Sequence, residues 1–442
     1  MRPERVADRK PRSHARRDPD DWSPLRRRAA PLRARIAVRV LAVLARLVVC
    51  GLDVCAWAMP ARLLAPVRWP KPSGPYAVGV RDLDRPAARV WYPAVAETRG
   101  TAPLLTAAEA AAIRTGSSGT IPGAILRQMQ TVRTASVPDA ALLAPAGPGW
   151  PLLIFSHGLG GYAAQNTALC EELASHGYFV VALTHATGSA AARQADGSYQ
   201  ALPRQDRAKA LDPWLYVCAG RRRRARDRAA QDEASRCLAR IESLQVEQER
   251  WVADIRDALD GLAGSNAPAF MQRHRGAFDL GRVGLIGMSF GGSASAAAAC
   301  VEPRIGAVVN LDGGQIGPAL YDAQIRVPLL VMQSGAQRAP DGSGRNDSFY
   351  EPIDSTGRSG TVLRFRVEGS AHLSYSDLVL FGRGLLRRAL GTGTVTGERM
   401  HRLVAGVVRP FCDRYVKGDA TAFDPPALEA GWPELHRHRR SG

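Results

Sequence analysis

From Pro151 onward the chain alternates short apolar runs with longer stretches of helical periodicity, the pattern of a parallel sheet covered on both faces. Leu152–Ser156 reads as a buried strand, Ala163–Ser175 as a helix closed by Gly177, and Tyr178–Leu183 as the next strand. Across Ser243–Ala263, Val252, Ile255, Leu259 and Leu262 fall on one helical face. Further strands are predicted at Val283–Gly287, Ala307–Leu311 and Pro328–Gln333. Thr361–Val367 adds another before a short loop holding His372, and Leu403–Tyr415 is the clearest helix of the remainder.

Ahead of Pro151 the rhythm is weaker. Tyr76–Val80 and Ala88–Tyr92 are strand candidates, and residues 100–148 mix helical pattern with Gly and Pro breaks, as a cap or pocket-lining insertion would. Pro70–Pro75 reads as a linker, and residues 186–235 as a polar, Arg-rich surface excursion of poor periodicity. Residues 1–35 have the Arg/Pro/Asp composition of a disordered segment. Ile36–Met59 is apolar and long enough to cross a bilayer, but Arg39, Arg46 and Asp53 interrupt it, each costly at mid-depth. It reads as a signal-anchor, an export signal or a helix lying on the membrane surface, with a cytoplasmic enzyme as the alternative. The expected organisation is a basic N-terminal region over 1–70, a catalytic domain over 71–432 and a basic tail over 433–442.

Charge adds one feature to this picture. The 442 residues carry a formal net charge of +18, and residues 1–40 alone hold thirteen Arg or Lys against five acids. A second cluster comprises Arg221, Arg222, Arg223, Arg224, Arg226 and Arg228, and a third Arg437, Arg439 and Arg440. Such clusters suit an anionic membrane surface or serve as a solvated surface. With no aromatic interleaving or recognisable module beside them, nucleic acid is not an expected partner. Seven scattered cysteines form no CxxC and no zinc spacing, so mostly free, buried thiols are expected, and neither metal nor cofactor.

The chemistry lies at strand ends. Gly287-Met288-Ser289-Phe290-Gly291 directly follows the strand residues Val283-Gly284-Leu285-Ile286, and Gly292-Ser293-Ala294 opens an Ala-rich helix behind it. This is the nucleophile elbow of the α/β-hydrolase architecture: the sharp turn leaves no room for side chains on either side and lifts the Ser289 hydroxyl to a helix N-terminus. His157-Gly158-Leu159-Gly160-Gly161, directly after Leu152–Ser156, occupies the place of the loop that gives one oxyanion-hole amide. The expected donors are therefore the backbone N–H groups of Leu159 and Phe290. Asp312 ends the strand after the elbow and His372 follows a later strand, which supplies a triad in the order Ser289, Asp312, His372. Asp341, one strand later, is the alternative carboxylate. His157 reads as structural, His176 as a helix cap, and His185 as a pocket residue by position alone.

Together these segments resemble the platelet-activating-factor acetylhydrolase family, from residue 74 to about residue 416. The resemblance is carried by Gly74-Pro75-Tyr76-Ala77-Val78-Gly79, Arg89-Val90-Trp91-Tyr92-Pro93, the segment Pro151–Gly160, Leu173-Ala174-Ser175-His176-Gly177-Tyr178, the elbow, Leu311-Asp312 and Gly369-Ser370-Ala371-His372. It implies an α/β-hydrolase with Ser289, Asp312 and His372 as triad and Leu159 and Phe290 as oxyanion donors. The implied substrate is a small or lipid ester, in particular a phospholipid with a short or oxidised acyl chain. Met288 stands where the family often has His, and the 186–235 insertion diverges. A general bacterial carboxylesterase or polyester hydrolase shares the same motifs. A membrane-anchored interaction protein on an inactive hydrolase fold is the non-enzymatic rival, and an intact triad argues against it.

Overall fold

A computed structural model describes residues 66–438 except 118–120, 204–212, 318–324, 336–361, 385, 388 and 389. Ile36–Met59 and Asp341 therefore lie outside the described residues.

A hairpin opens the domain, β1 (Ala77–Asp84) and β2 (Ala87–Ala94), followed by helices α1 (Ala107–Gly116) and α2 (Gly123–Thr131) and the short β3 (Val137–Pro138). Then come β4 (Trp150–Ser156), α3 (Thr167–Ser175) and β5 (Phe179–Leu183). The insertion contains a small hairpin, β6 (Ala191–Arg193) and β7 (Tyr199–Ala201), and two helices, α4 (Pro213–Arg224) and α5 (Arg228–Ala239). The long α6 (Glu242–Ala263) leads to β8 (Phe278–Met288), α7 (Phe290–Val301), β9 (Ile305–Leu311), β10 (Leu329–Ser334) and β11 (Val362–Val367). Helices α8 (Gly397–Tyr415) and α9 (Pro425–Gly431) precede the last strand, β12 (Leu435–Arg437).

Ten strands form one sheet in the order β12-β11-β10-β9-β8-β4-β5-β2-β1-β3. The six from β11 to β5 run parallel, and β2, β1 and β12 join antiparallel. Successive side chains of a strand point to opposite faces, so a strand covered on both faces must be apolar throughout. In β4, Leu153 and Phe155 pack on the face covered by α8, where Leu403, Val407 and Phe411 are buried. Leu152 and Ile154 pack on the other, against Ile255, Leu259 and Leu262 of α6. The chain runs outward from β4 to β5 on one side and from β8 to β11 on the other. The crevice at the carboxyl ends of β4 and β8 is thus a topological switch point, the usual ligand position of such sheets.

The structure departs from the sequence reading in four places. Pro70–Pro75 is not a bare linker: Trp69 Nε1 donates to Glu171 at 2.6 Å, and the Ser73 amide donates to Glu172 at 2.8 Å. Residues 435–437, read as tail, pair with β11 and bury Leu435. The described residues of the 186–235 excursion include a hairpin and two helices, with α5 capped by the Asp227 side chain, which accepts from Ala230 N at 2.9 Å. Finally, the thiols are not all free. Cys218 of α4 and Cys237 of α5 form a disulfide with Cα atoms 5.6 Å apart, while Cys170, Cys300 and Cys412 are free.

Candidate active site

β8 ends at Met288, and Ser289 follows at φ 57°, ψ −121°, a conformation that costs about 1–3 kcal/mol for a residue with a side chain. The turn closes because its flanks are glycines. A Cβ on Gly287 would strike the Gly291 backbone, and one on Gly291 would strike the carbonyl oxygens of Ser156 and His157 at the end of β4. The elbow thus packs directly on the neighbouring strand, and Ser289 stands at the N-terminus of α7. The Ser289 amide donates to Leu311 O at 2.8 Å, which ties the elbow to β9.

Asp312, the first residue after β9, also has positive φ, 55°, a region that Asp tolerates better than most residues. Asn310 braces this turn by accepting from the Gly313 amide at 2.7 Å. The Asp312 side chain is fully buried; its Oδ1 accepts from Ser334 N at 2.7 Å. Its Oδ2 lies 2.7 Å from His372 Nδ1, and His372 Nε2 lies 2.8 Å from Ser289 Oγ. A carboxylate only accepts, so Nδ1 carries the proton and Nε2 is left as acceptor for the serine hydroxyl. His372 opens a single 3-10 turn, His372–Tyr375, held by Ser374, whose hydroxyl accepts from Ala371 N and donates to Thr392 O. The structure therefore brings Ser289, Asp312 and His372 into one hydrogen-bonded row.

The loop after β4 lies beside this row. A Cβ on Gly158 would sit 3.3 Å from the Ser289 Cβ. The amides of Gly158, Gly160 and Gly161 donate to Gln165 Oε1, Gly188 O and Gly158 O. Among the described residues no acceptor meets the amides of Leu159 and Phe290, which remain available to a ligand. A cavity of about 330 Å³ opens here, bounded by Ser289, His372 and apolar side chains that include Ile121, Leu159, Tyr162, Leu202 and Leu378. Its described lining holds no acid, lysine or arginine. Among the described residues no group of three or more His, Cys, Asp or Glu is placed to hold a metal ion.

The remaining histidines occupy other positions. His176 caps α3 and meets Glu172 at 3.1 Å. His185 does not line the cavity: it is fully buried, with Nδ1 2.8 Å from Asp254 Oδ2 and its ring stacked on Trp251 at 3.7 Å. His157 is buried too, with Nε2 2.8 Å from Ser189 Oγ. Sequence reading missed Asn310, Gln165, Ser189 and Trp251, since nothing in their local pattern marks them apart from other polar or core residues.

Burial, and next the neighbouring His185, push the His157 imidazole down to about 3. Below pH 6.5 the unfolded chain binds a proton that the folded ring refuses. The contribution of neutral His157 is therefore complete above pH 6.5 and drains as pH falls toward 3, by about 1.4 kcal/mol per unit. We expect the urea-stability gap between wild type and His157→Gln to narrow by roughly 2 kcal/mol between pH 7 and pH 5. An unchanged gap would mean that His157 is not held neutral.

Residues 64–404 match the family described as platelet-activating factor acetylhydrolase, isoform II. A platelet-activating factor acetylhydrolase from Cavia porcellus is 25% identical over 365 residues, covering 78% of this chain and 78% of that protein. One from Gallus gallus is 27% identical over 244 residues, covering 52% and 53% respectively. A solved ferulic acid esterase from Streptomyces cinnamoneus matches in fold with a TM-score of 0.60 over 85% of this chain and 100% of that one, at 21% identity.

Proposed function

Because the chain belongs to the platelet-activating factor acetylhydrolase, isoform II, family and is a carboxylic-ester hydrolase of the α/β-hydrolase fold, we propose that Ser289 is its nucleophile and that its substrates are short-chain or oxidised acyl esters, platelet-activating-factor-like phospholipids foremost. The observation that carries this reading is the row Asp312–His372–Ser289 at the mouth of an apolar cavity.

In the proposed mechanism His372 Nε2 takes the hydroxyl proton as Ser289 Oγ bonds to the ester carbonyl carbon. The imidazolium so formed is stabilised by the Asp312 carboxylate. The carbonyl oxygen, now negative, accepts from the amides of Leu159 and Phe290, donors of a kind whose individual loss costs about 10²–10³ in rate. Collapse expels the alcohol, which leaves with the proton from His372. Water, deprotonated by the same ring, then releases the acid from Ser289. All the catalytic groups in this scheme are supplied by the chain itself, without metal or cofactor.

The cavity speaks for a short acyl group, since about 330 Å³ stands at the low end of the 300–1,000 Å³ typical of ligand pockets. With no charged group in its described lining, it suits the acyl chain and leaves a charged head group outside. The test is a panel of p-nitrophenyl esters from acetate to palmitate beside a 2-acetyl phospholipid, with EDTA in one arm. Activity that falls steeply beyond short acyl chains and persists in EDTA agrees with the reading. Preference for palmitate, or dependence on a metal, would reject it.

We place the enzyme at a membrane through residues 1–65, where the apolar stretch Ile36–Met59 follows a strongly basic segment. The full chain is expected to sediment with anionic vesicles and a chain lacking residues 1–65 to stay soluble and active. Release by high salt would assign the hold to screened charge, and release only by detergent to insertion. Full-length protein that never sediments would end this proposal.

A further inference from the structure

Beneath the proposed oxyanion amides lies a buried aromatic arrangement that the mechanism above does not use. Trp251 of α6 is fully buried, and its indole touches both sides of the site. The ring meets Phe290 edge-to-face at 4.8 Å and His157, the first residue of the other loop, at 5.1 Å. Leu159 packs into the same cluster. A Cβ on Gly188, whose φ is +80°, would come within 3.0 Å of both Leu159 Cδ1 and Trp251 Cζ2, so the two side chains close tightly around this glycine. The indole is fixed in its plane: Nε1 donates to Thr187 O and to Glu247 Oε1, each at 3.0 Å.

His185 holds the other face. Its ring lies parallel to the indole, within 7°. The imidazole is anchored at both ends, with Nδ1 2.8 Å from Asp254 Oδ2 and Nε2 3.2 Å from Ser156 Oγ. Ser156 is the last residue of β4, so the anchor reaches the strand that carries the Leu159 loop. Ser156, His185 and Asp254 thus repeat the residue types of the surface row, but Ser156 and His185 are wholly buried, where no ester can reach them. The segment that follows His185 is zipped to the loop itself, Gly160 N donating to Gly188 O and Ala190 N to Gly161 O.

We infer that Trp251, clamped by His185, is a positioning residue that sets the distance between the Leu159 and Phe290 amides and so the fit of the oxyanion. This rests on the reading of those two amides as the oxyanion donors. Phe290 reports the position of the elbow and Leu159 that of the neighbouring loop, and the indole is the solid body between them. A thinner ring lets the two sides approach, and loss of the stacked imidazole lets the indole tilt. Displacement of about 1 Å at such a site is enough to cost roughly 100-fold in rate.

The test uses full-length Trp251→Phe and His185→Gln, with concentrations fixed by fluorophosphonate titration of Ser289 so that misfolded protein is not counted. The readouts are kcat and KM on p-nitrophenyl acetate, and the affinities of an alkylboronic acid, which becomes a tetrahedral anion on serine, and of the planar amide of the same chain length. We expect kcat per titrated site to fall by about tenfold to 100-fold with KM within threefold. Boronate affinity should fall in parallel while amide affinity holds. Lower melting temperatures with unchanged kcat and boronate affinity per site, in whichever variant folds, would reduce the pair to a packing role and overturn the inference alone. If the wild type itself binds boronate no more tightly than amide, the oxyanion reading fails first and the inference falls with it.

Discussion

Ser289→Ala is expected to lower kcat by roughly 10³–10⁶ and to leave the fold as it is. The substitution removes one oxygen from a half-exposed side chain and keeps the Cβ, so the backbone conformation at φ 57° is no more strained than before. What is lost is the atom 2.8 Å from His372 Nε2. Without it, catalysis reduces to whatever the donor amides and the cavity contribute to attack by water. An organophosphate should label Ser289 in the wild type and nothing in the variant. Comparable turnover by the alanine variant, with circular dichroism unchanged, would remove Ser289 from the mechanism.

Asp312→Asn should cost about 10⁴ in kcat, by analogy with other triads. The reason is local. The carboxylate divides its oxygens between Ser334 N and His372 Nδ1. An asparagine would turn its carbonyl to the Ser334 amide, which can only donate, and so present its NH₂ to the imidazole. Nδ1 would then have to accept, the ring proton would move to Nε2, and the base for Ser289 would be lost. Asp341→Asn, by contrast, is expected to cost less than tenfold. Both variants belong on one soluble ester at one pH, with folding checked. A crippled Asp341 variant beside a healthy Asp312 variant would shift the acid by one strand.

How far the sequence could be read depended on whether a residue's job is local. Gly287 and Gly291 exist to let a strand, a turn and a helix touch, and that requirement is written in consecutive residues. Buried parallel strands such as β4 must be apolar on both faces, so Leu152–Ser156 announced itself. Asp312 could be chosen over Asp341 because a residue directly at a strand end has a fixed position. Tertiary jobs left no such mark. Trp251 looked like one more apolar residue of an amphipathic helix, and its role comes from touching Phe290 and His157, 39 and 94 positions away. His185 follows the carboxyl end of β5, where a pocket residue is expected, but its ring stacks on Trp251 and bonds Asp254 and Ser156 instead of entering the cavity. The α4–α5 bridge was hidden in an arginine-rich stretch whose polarity suggested surface loop, although Cys218 packs in one cluster with Trp251 and Phe290. Leu435 pairs with β11 through backbone groups, which composition does not report.

The bridge between Cys218 and Cys237 closes a stretch of 19 residues, worth about 3 kcal/mol by the loop-entropy argument. It also spans the exposed Arg221, Arg224 and Arg226, which make this helical hairpin a natural target for trypsin. A cut among those arginines would leave Leu159 on one fragment and Ser289, Asp312 and His372 on the other. The sheet would still join them, because β4 of the first fragment is hydrogen-bonded to β8 of the second. The nicked protein is therefore expected to behave as a two-chain esterase that keeps its activity and runs as one band on a denaturing gel until dithiothreitol splits it into two. Two bands in the absence of reductant would mean that the bridge is open in the protein as isolated.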